Sequence, residues 1–213
     1  MSYCINPYCP DRQNPEALET CQTCGAVLLI QGRYRLLKPL RELNGYEHSE
    51  IFLVDDRGSL KILKVLKDLK RLPIFELESP VQLFDREART LQKLKHPGIP
   101  RVEPDSYFTV HLHSSTFHPH PQTLYCLMME YIEGKNLEQW MATQPPIDQD
   151  RAIAWLKQLV EILDQVHQNE LFHRDIKPSN IMLRPNGQLV LIDFGSARPM
   201  TNTYFAKVGG GSQ

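Results

Sequence analysis

The stretch Leu171 to Gly195, which reads LFHRDIKPSNIMLRPNGQLVLIDFG, constrains this chain more than any other. Pro185-Asn186-Gly187 is a turn signal, because proline presets one dihedral and Asn-Gly accepts positive φ. On either side, Ile181-Met182-Leu183 and Leu189-Val190-Leu191-Ile192 are short apolar runs rich in branched residues, so the stretch predicts a hairpin. Its closure brings the segment from Asp175 to Asn180 close to Asp193. Asp193 ends an apolar strand, and a carboxylate at the border of a core is costly unless a cation or hydrogen bonds compensate it. Asp and Asn oxygens suit a hard divalent cation that keeps several waters and takes one or two protein carboxylates plus phosphate oxygens.

HRDIKPSN at 173–180, followed by DFG at 193–195, resembles the catalytic loop and metal-binding motif of the protein kinases. The resemblance implies an α+β, bilobal kinase-like fold that binds ATP and Mg²⁺ and phosphorylates a protein hydroxyl. It makes Asp175 the catalytic base, Asn180 and Asp193 the Mg²⁺ ligands, and Lys177 a charge that steadies the transferring phosphoryl group. A lysine two residues after the aspartate is the serine/threonine-type version.

Four of the five cysteines fall in the first 24 residues, as Cys4-x4-Cys9 and Cys21-x2-Cys24-Gly25. Paired thiolates at short spacing in a reducing compartment read as a four-sulfur Zn²⁺ site. Each pair sits on a tight turn, helped by Pro7, Pro10 and Gly25, and residues 1–30 resemble a zinc ribbon. That segment is too short for its own core, so metal binding would supply most of its folding free energy. A redox dithiol at Cys21 and Cys24 would need a thioredoxin-like βαβ context, which is absent here. Residues 1–30 carry one basic residue, Arg12, against Asp11, Glu16 and Glu19, so nucleic acid is not an expected partner.

Gln31-Gly32 marks a boundary, after which residues 33–213 form the kinase-like part. By resemblance these divide into a complete N-lobe at 33–130, a hinge at 130–135 and a partial C-lobe at 136–213. Arg33 to Leu40 reads as a first strand. The stretch Leu43 to Glu50 then takes the place of the family's glycine-rich phosphate cover, with its three glycine positions falling on Asn44, Tyr46 and Ser49. Tyr46 blocks close backbone approach to a phosphate, and Glu47 and Glu50 oppose its charge, so a weakened cover is expected.

Ser59 to Leu66 has period two, placing Leu60, Ile62, Lys64 and Leu66 on one face. A lysine there needs an anionic partner. The following helix, opened by Ser79 and Pro80, carries the stripe Leu83, Phe84, Ala88, Leu91 and Leu94 with Glu87 inside it. Lys64 and Glu87 match, by resemblance, the lysine that holds the α- and β-phosphates and the glutamate that positions it. Glu130 to Gly134 resembles the hinge, with Glu130 and Ile132 offering backbone groups to adenine. Leu124 to Met129 is a strand in which Cys126 is a buried hydrophobe without chemistry.

Asn136 opens a short helix through Trp140, and Asp148 caps a long one whose predicted core stripe is Ile153, Trp155, Leu156, Leu159, Val160, Leu163 and Val166. His111, His113, His118 and His120 lie in Pro- and Ser-rich surroundings and read as an exposed loop rather than a metal site. His173 and Arg174 are expected to be architectural. Ser196 to Gln213 has no apolar periodicity, as in an activation segment, with Thr201, Thr203 and Tyr204 as candidate phosphosites. The resemblance places a substrate-binding set of helices after Gln213, so exposed apolar surface is expected on the long helix.

A formal net charge of −1 gives no case for nucleic-acid or anionic-membrane binding, and no apolar run reaches the length of a membrane span or resembles a signal peptide. The cytoplasm is the expected compartment, and a protein substrate and ATP are the expected partners. Two functions follow. One is a bacterial-type serine/threonine kinase with an N-terminal zinc ribbon. The other is a catalytically silent pseudokinase and zinc-ribbon module that binds a partner, for which the glycine-poor cover speaks.

Overall fold

The computed structural model describes residues 1–43, 48–67, 79–114, 117 and 119–200. Asn44, Tyr46 and Glu47 of the phosphate-cover stretch, His118, and Thr201, Thr203 and Tyr204 lie outside the described residues. The chain divides into two compact units, Met1–Asp85 with Val102–Tyr131 and Arg86–Arg101 with Ile132–Gln213.

In the first unit, β1 (Ser2–Tyr3) pairs with β2 (Gln13–Asn14) around the cysteine turns. The strands β3 (Leu29–Ile30), β4 (Tyr34–Pro39), β5 (Ser49–Asp56) and β6 (Ser59–Leu66) follow. After α1 (Pro80–Lys93), whose residues from Arg86 onward belong to the second unit, come β7 (Tyr107–Leu112) and β8 (Gln122–Glu130). They form a six-stranded antiparallel sheet in the order β3-β4-β5-β6-β8-β7. The β5–β6 connection is a two-residue hairpin turn with both central residues, Arg57 and Gly58, at positive φ, the conformation that matches strand twist.

One face of this sheet packs a core of Leu36, Phe52, Val54, Leu63, Val65, Leu124, Cys126 and Met128. Ile5 from the cysteine-bearing segment is buried in the same cluster, and Tyr3 lies 5.8 Å from the Phe52 ring. The segment therefore shares the apolar face of the sheet through Ile5 and Tyr3, and packs a small cluster of its own, Cys4, Cys9, Cys21 and Leu28, around the sulfurs. In β6, alternation does put Leu60, Ile62, Lys64 and Leu66 on one side, but the face in this core is the opposite one, with Leu63 and Val65. Leu60 is 45% exposed. Burial rises along β6, from exposed Ser59 and Leu60 to buried Leu63, Lys64, Val65 and Leu66, so the later half of the strand is covered on both faces while its first residues reach solvent.

Helix α1 begins as predicted. The Gln82 N–H donates to Ser79 Oγ at 3.3 Å, and the Ser79 N–H donates to Gln82 Oε1 at 2.8 Å, a reciprocal cap. Phe84, Ala88, Leu91 and Leu94 are buried.

In the second unit, β9 (Lys135–Asn136) leads into α2 (Leu137–Met141), capped by Asn136 and Gln139. Asp148 caps α3 (Gln149–Gln168), accepting from the Arg151 N–H at 2.7 Å. Next come β10 (Leu171–Phe172), β11 (Ile181–Leu183), β12 (Leu189–Leu191) and β13 (Arg198–Pro199). The hairpin β11–β12 pairs Ile181 with Leu191 and Leu183 with Leu189, and β9 adds to its edge. Gly134 has φ +131°, and a Cβ there would collide with the Leu183 carbonyl oxygen, so β9 approaches β11 only because this residue is glycine.

The predicted stripe of α3 is only partly a core: Val166 is buried, Trp155, Leu159 and Leu163 are half-buried, and Ile153, Leu156 and Val160 are exposed, while Ile162, outside the predicted stripe, is buried. Gly98 lies so close to the Ile162 side chain that a Cβ would overlap it, which fixes Ile162 as the packed position.

Candidate active site

Helix α3 ends at Asn169, and β10 turns the chain into His173-Arg174-Asp175. The first link is backbone to ring: the Asp175 N–H donates to His173 Nδ1 at 3.3 Å. That leaves Nε2–H to donate to the Ile192 carbonyl at 3.2 Å, so His173 is a neutral imidazole in one tautomer. Burial pushes its pKa below the usual value of 6.5, partly opposed by that hydrogen bond and by Asp193 and Asp175. The ring stands edge-on to Phe194 at 4.7 Å, and both residues are about 1% exposed.

Asp175 projects from this support. Asn180 Nδ2 donates to its carboxylate at 2.8 Å and to its backbone carbonyl at 3.0 Å. Lys177 Nζ lies 2.9 Å from the same carboxylate oxygen, with about half of the lysine side chain in solvent. The bond from Lys177 and the one from Asn180 hold the Asp175 carboxyl below the usual range, against upward pushes from burial and, more weakly, from Asp193. A short 3₁₀ turn, Pro178–Asn180, brings Asn180 back to Asp175, with the Asn180 N–H donating to the Lys177 carbonyl at 2.9 Å.

The hairpin then delivers Asp193 beside this loop. The Ile192 N–H donates to the Asn180 carbonyl at 2.8 Å, joining the two ends as the sequence predicts. Arg174 and Asp193 both adopt left-handed backbone, with φ +67° and +65°. Such a conformation costs a non-glycine residue about 1 kcal/mol or more, and it persists where the surroundings fix it. Asp175, Lys177, Asn180 and Asp193 thus come from one contiguous, cross-braced segment of the second unit.

The other candidate residues fall as follows. Lys64 is 8% exposed on β6, opposite Ile51 of β5, and belongs to the first unit. Glu87 is 3% exposed on α1 and belongs to the second. Glu130 is half-buried at the end of β8, and Ile132, 6% exposed, begins the return into the second unit. Of the histidine group, His111, His113 and His120 are exposed, and His111 Nδ1 pairs with Thr123 Oγ1.

Cys4, Cys9, Cys21 and Cys24 bring their sulfurs within 4.8 Å of one another. Cys4 and Cys24 are 3.5 Å apart, and Cys9 and Cys21 are 3.7 Å apart. Tetrahedral Zn–S bonds of about 2.3 Å require sulfur separations of about 3.8 Å, whereas a disulfide requires about 2.05 Å. The donor set therefore fits a zinc ion. Burial raises the Cys21 thiol, but N–H groups of Cys24 and Thr23 and the Asn14 amide outweigh it and bring the thiol down to about 7. Burial and the neighbouring thiols push Cys9 up to about 12.

One pair escaped the sequence. Arg12 donates from Nη1 and Nη2 to Glu50 at 3.1 and 2.9 Å, and both side chains are below a tenth exposed. Glu50 therefore does not present a free charge to a phosphate, which corrects the expectation drawn from its position. The signal lay in Arg12 being the lone basic residue of the first thirty.

A six-stranded antiparallel sheet, a braced aspartate loop and a hairpin ending in Asp-Phe-Gly together make a protein-kinase-like fold and site. The family described as protein kinase domain matches residues 49–212, and this chain belongs to it. Serine/threonine-protein kinase B of Synechocystis sp. is 32% identical over 202 residues, covering 93% of this chain and 33% of its own length. Serine/threonine-protein kinase F of the same organism is 30% identical over 213 residues, covering 93% and 42%. Serine/threonine-protein kinase PrkC of Bacillus subtilis is 28% identical over 184 residues, covering 82% and 24%. The chain spans less than half the length of each of these relatives. Among the described residues, no helix is long and apolar enough to cross a membrane.

Proposed function

We propose that the chain transfers the γ-phosphoryl group of ATP to a serine or threonine hydroxyl of a protein. The observation that carries this reading is the Asp175 carboxylate, fixed by Asn180 and Lys177 on a loop bonded to the strand that ends in Asp193. The substrate oxygen forms its bond to phosphorus as the β–γ bridging bond breaks and ADP leaves. Asp175 orients the hydroxyl and receives its proton. A carboxyl held below its usual range is a weak base, so it suits a proton released late, when the oxygen is already bonded to phosphorus. The Lys177 ammonium, half in solvent, can turn from Asp175 to the transferring oxygens.

Asn180 and Asp193 would hold Mg²⁺, which neutralises phosphate charge when bound. Lys64, positioned by Glu87, would meet the α- and β-phosphates, and backbone groups of Glu130 and Ile132 would meet adenine. Residues 1–30 form a zinc ribbon in which Cys4, Cys9, Cys21 and Cys24 hold the ion, ahead of an N-lobe at 33–130, a hinge at 130–135 and C-lobe residues from 136 onward. A reducing cytoplasm keeps these thiols available to metal.

The test is label transfer from radiolabelled ATP to a generic acceptor protein, with Asp175→Asn beside the wild type. The wild type should label the acceptor, and Asp175→Asn should reduce labelling by about two orders of magnitude or more. Equal labelling by both ends the reading. Thermal stabilisation by Mg-ATP without label transfer would favour the silent module, for which the side chains at Asn44 and Tyr46 speak.

A further inference from the structure

Arg12 touches both the cysteine site and the sheet that carries Lys64. Its Nε donates to the carbonyl of Cys4 at 2.8 Å, and its Nη2 donates to the carbonyl of Ile5 at 3.3 Å. The other edge of the guanidinium makes the two-point contact with Glu50. The cation also lies 5.1 Å from the Tyr3 ring centre and 5.3 Å from that of Phe52. All five donor directions of a guanidinium lie in one plane, so a side chain held on both edges has little freedom to turn.

Glu50 is the second residue of β5. Its strand neighbours pair directly with the end of β6, Ser49 with Leu66, Glu50 with Val65 and Ile51 with Lys64. Lys67 approaches Glu50 at 3.8 Å, and its N–H donates to the His48 carbonyl at 2.8 Å. A carboxylate 6% exposed cannot shift away from its cation without large cost, so Arg12 fixes where β5 begins. The position of Lys64 along β6 is fixed by the same rungs of the ladder.

We propose that Arg12 and Glu50 are a positioning pair through which the four-cysteine site sets the affinity of the sheet for nucleotide phosphates. Loading the cysteines fixes the Cys4 carbonyl, the Cys4 carbonyl fixes Arg12, and Arg12 fixes Glu50 and the β5–β6 rungs beside Lys64. This rests on the kinase reading of Lys64 and the zinc reading of the cysteines. Linkage makes the effect reciprocal: if zinc tightens Mg-ATP binding, Mg-ATP tightens zinc binding by the same factor.

The experiment uses zinc-loaded protein throughout and reads two affinities. Zinc affinity is measured by competition with a chromogenic chelator, with and without saturating Mg-ATP, and Mg-ATP affinity by calorimetry. In the wild type, Mg-ATP should tighten zinc binding about fivefold or more, within the ordinary range of coupling between sites. The Arg12→Met single variant strands a buried carboxylate and is expected to fold poorly. Arg12→Met/Glu50→Leu replaces the pair with apolar groups, an exchange that buried ion pairs commonly tolerate. It should bind both zinc and Mg-ATP, with the coupling between them lost and Mg-ATP binding about fivefold weaker than wild type. Arg12→Lys with Glu50 kept, which leaves one charge contact but not the fork, should retain an intermediate coupling. In turnover assays the double variant should raise KM for ATP and leave kcat unchanged. Coupling that persists undiminished in the double variant overturns the proposal, as does a wild type that binds both ligands independently. A wild type that binds no Mg-ATP overturns the kinase reading and this proposal together, a result distinct from binding without coupling.

Discussion

Ile192 uses both of its backbone groups to hold the aspartate loop: its N–H donates to the Asn180 carbonyl at 2.8 Å, and its carbonyl accepts from His173 Nε2 at 3.2 Å. One residue of the hairpin therefore braces the loop on either side of Asp175. Because Asp193 follows immediately, the loop and the carboxylate beyond the hairpin share a single rigid reference.

Asn180→Ala tests the bracing from the loop side. It removes both bonds to Asp175, and with them the Mg²⁺ ligand proposed at Asn180, while leaving the Ile192–Asn180 backbone bond in place. On the proposed mechanism, label transfer should fall about a hundredfold, the scale expected when a reacting group is misplaced by about 1 Å. Melting temperature should fall only slightly. Unchanged transfer would show that the carboxylate needs no such support.

His173 gives the segment a pH dependence. Its folded pKa lies below the unfolded value of 6.5, so the unfolded chain binds the extra proton first. The stability it contributes is fully present above about pH 6.5 and is lost as pH falls through the window between that value and the lower folded one. Protonation also removes the acceptor for the Asp175 N–H. Urea midpoints at pH 7.5 and 5.5 should fall more for wild type than for His173→Asn. An equal fall in both would place the acid sensitivity at other groups.

The hairpin was legible because its turn residues and apolar runs act locally, and the four cysteines because their spacing is itself the geometry. The bracing around His173 was legible as architecture, though not as a tautomer with named partners. Helical period gave the spacing of the apolar residues in α3 but not which of them meet a neighbour, so Ile153, Leu156 and Val160 were assigned to a core they do not enter. Alternation in β6 likewise gave the partition into faces without saying which face the first unit buries in its core. The Arg12–Glu50 pair joins residues 38 apart in sequence, and no local rule points from one to the other.

Cysteine reactivity separates the four-sulfur site from the fifth thiol. Cys126 is 0% exposed, and burial pushes its thiol up to about 12. In zinc-loaded protein a thiol reagent such as Ellman's should find almost nothing to modify. A strong chelator should release one zinc per chain and expose four thiols, with the fifth reacting only in denaturant. Early reaction of Cys126, or four free thiols before chelation, would contradict the assignment.

The two kinds of apolar position in α3 should differ in their effect on stability. Ile162 is 1% exposed and fills the space against Gly98, so Ile162→Ala leaves a cavity and should cost about 2–5 kcal/mol. Leu156 is 61% exposed, and Leu156→Ala should change stability by about 0.5 kcal/mol or less. Urea denaturation of both variants in one buffer reads the difference directly. Comparable losses would mean that Leu156 is covered in solution, and the reduced stability of its variant would then report the contact that covers it.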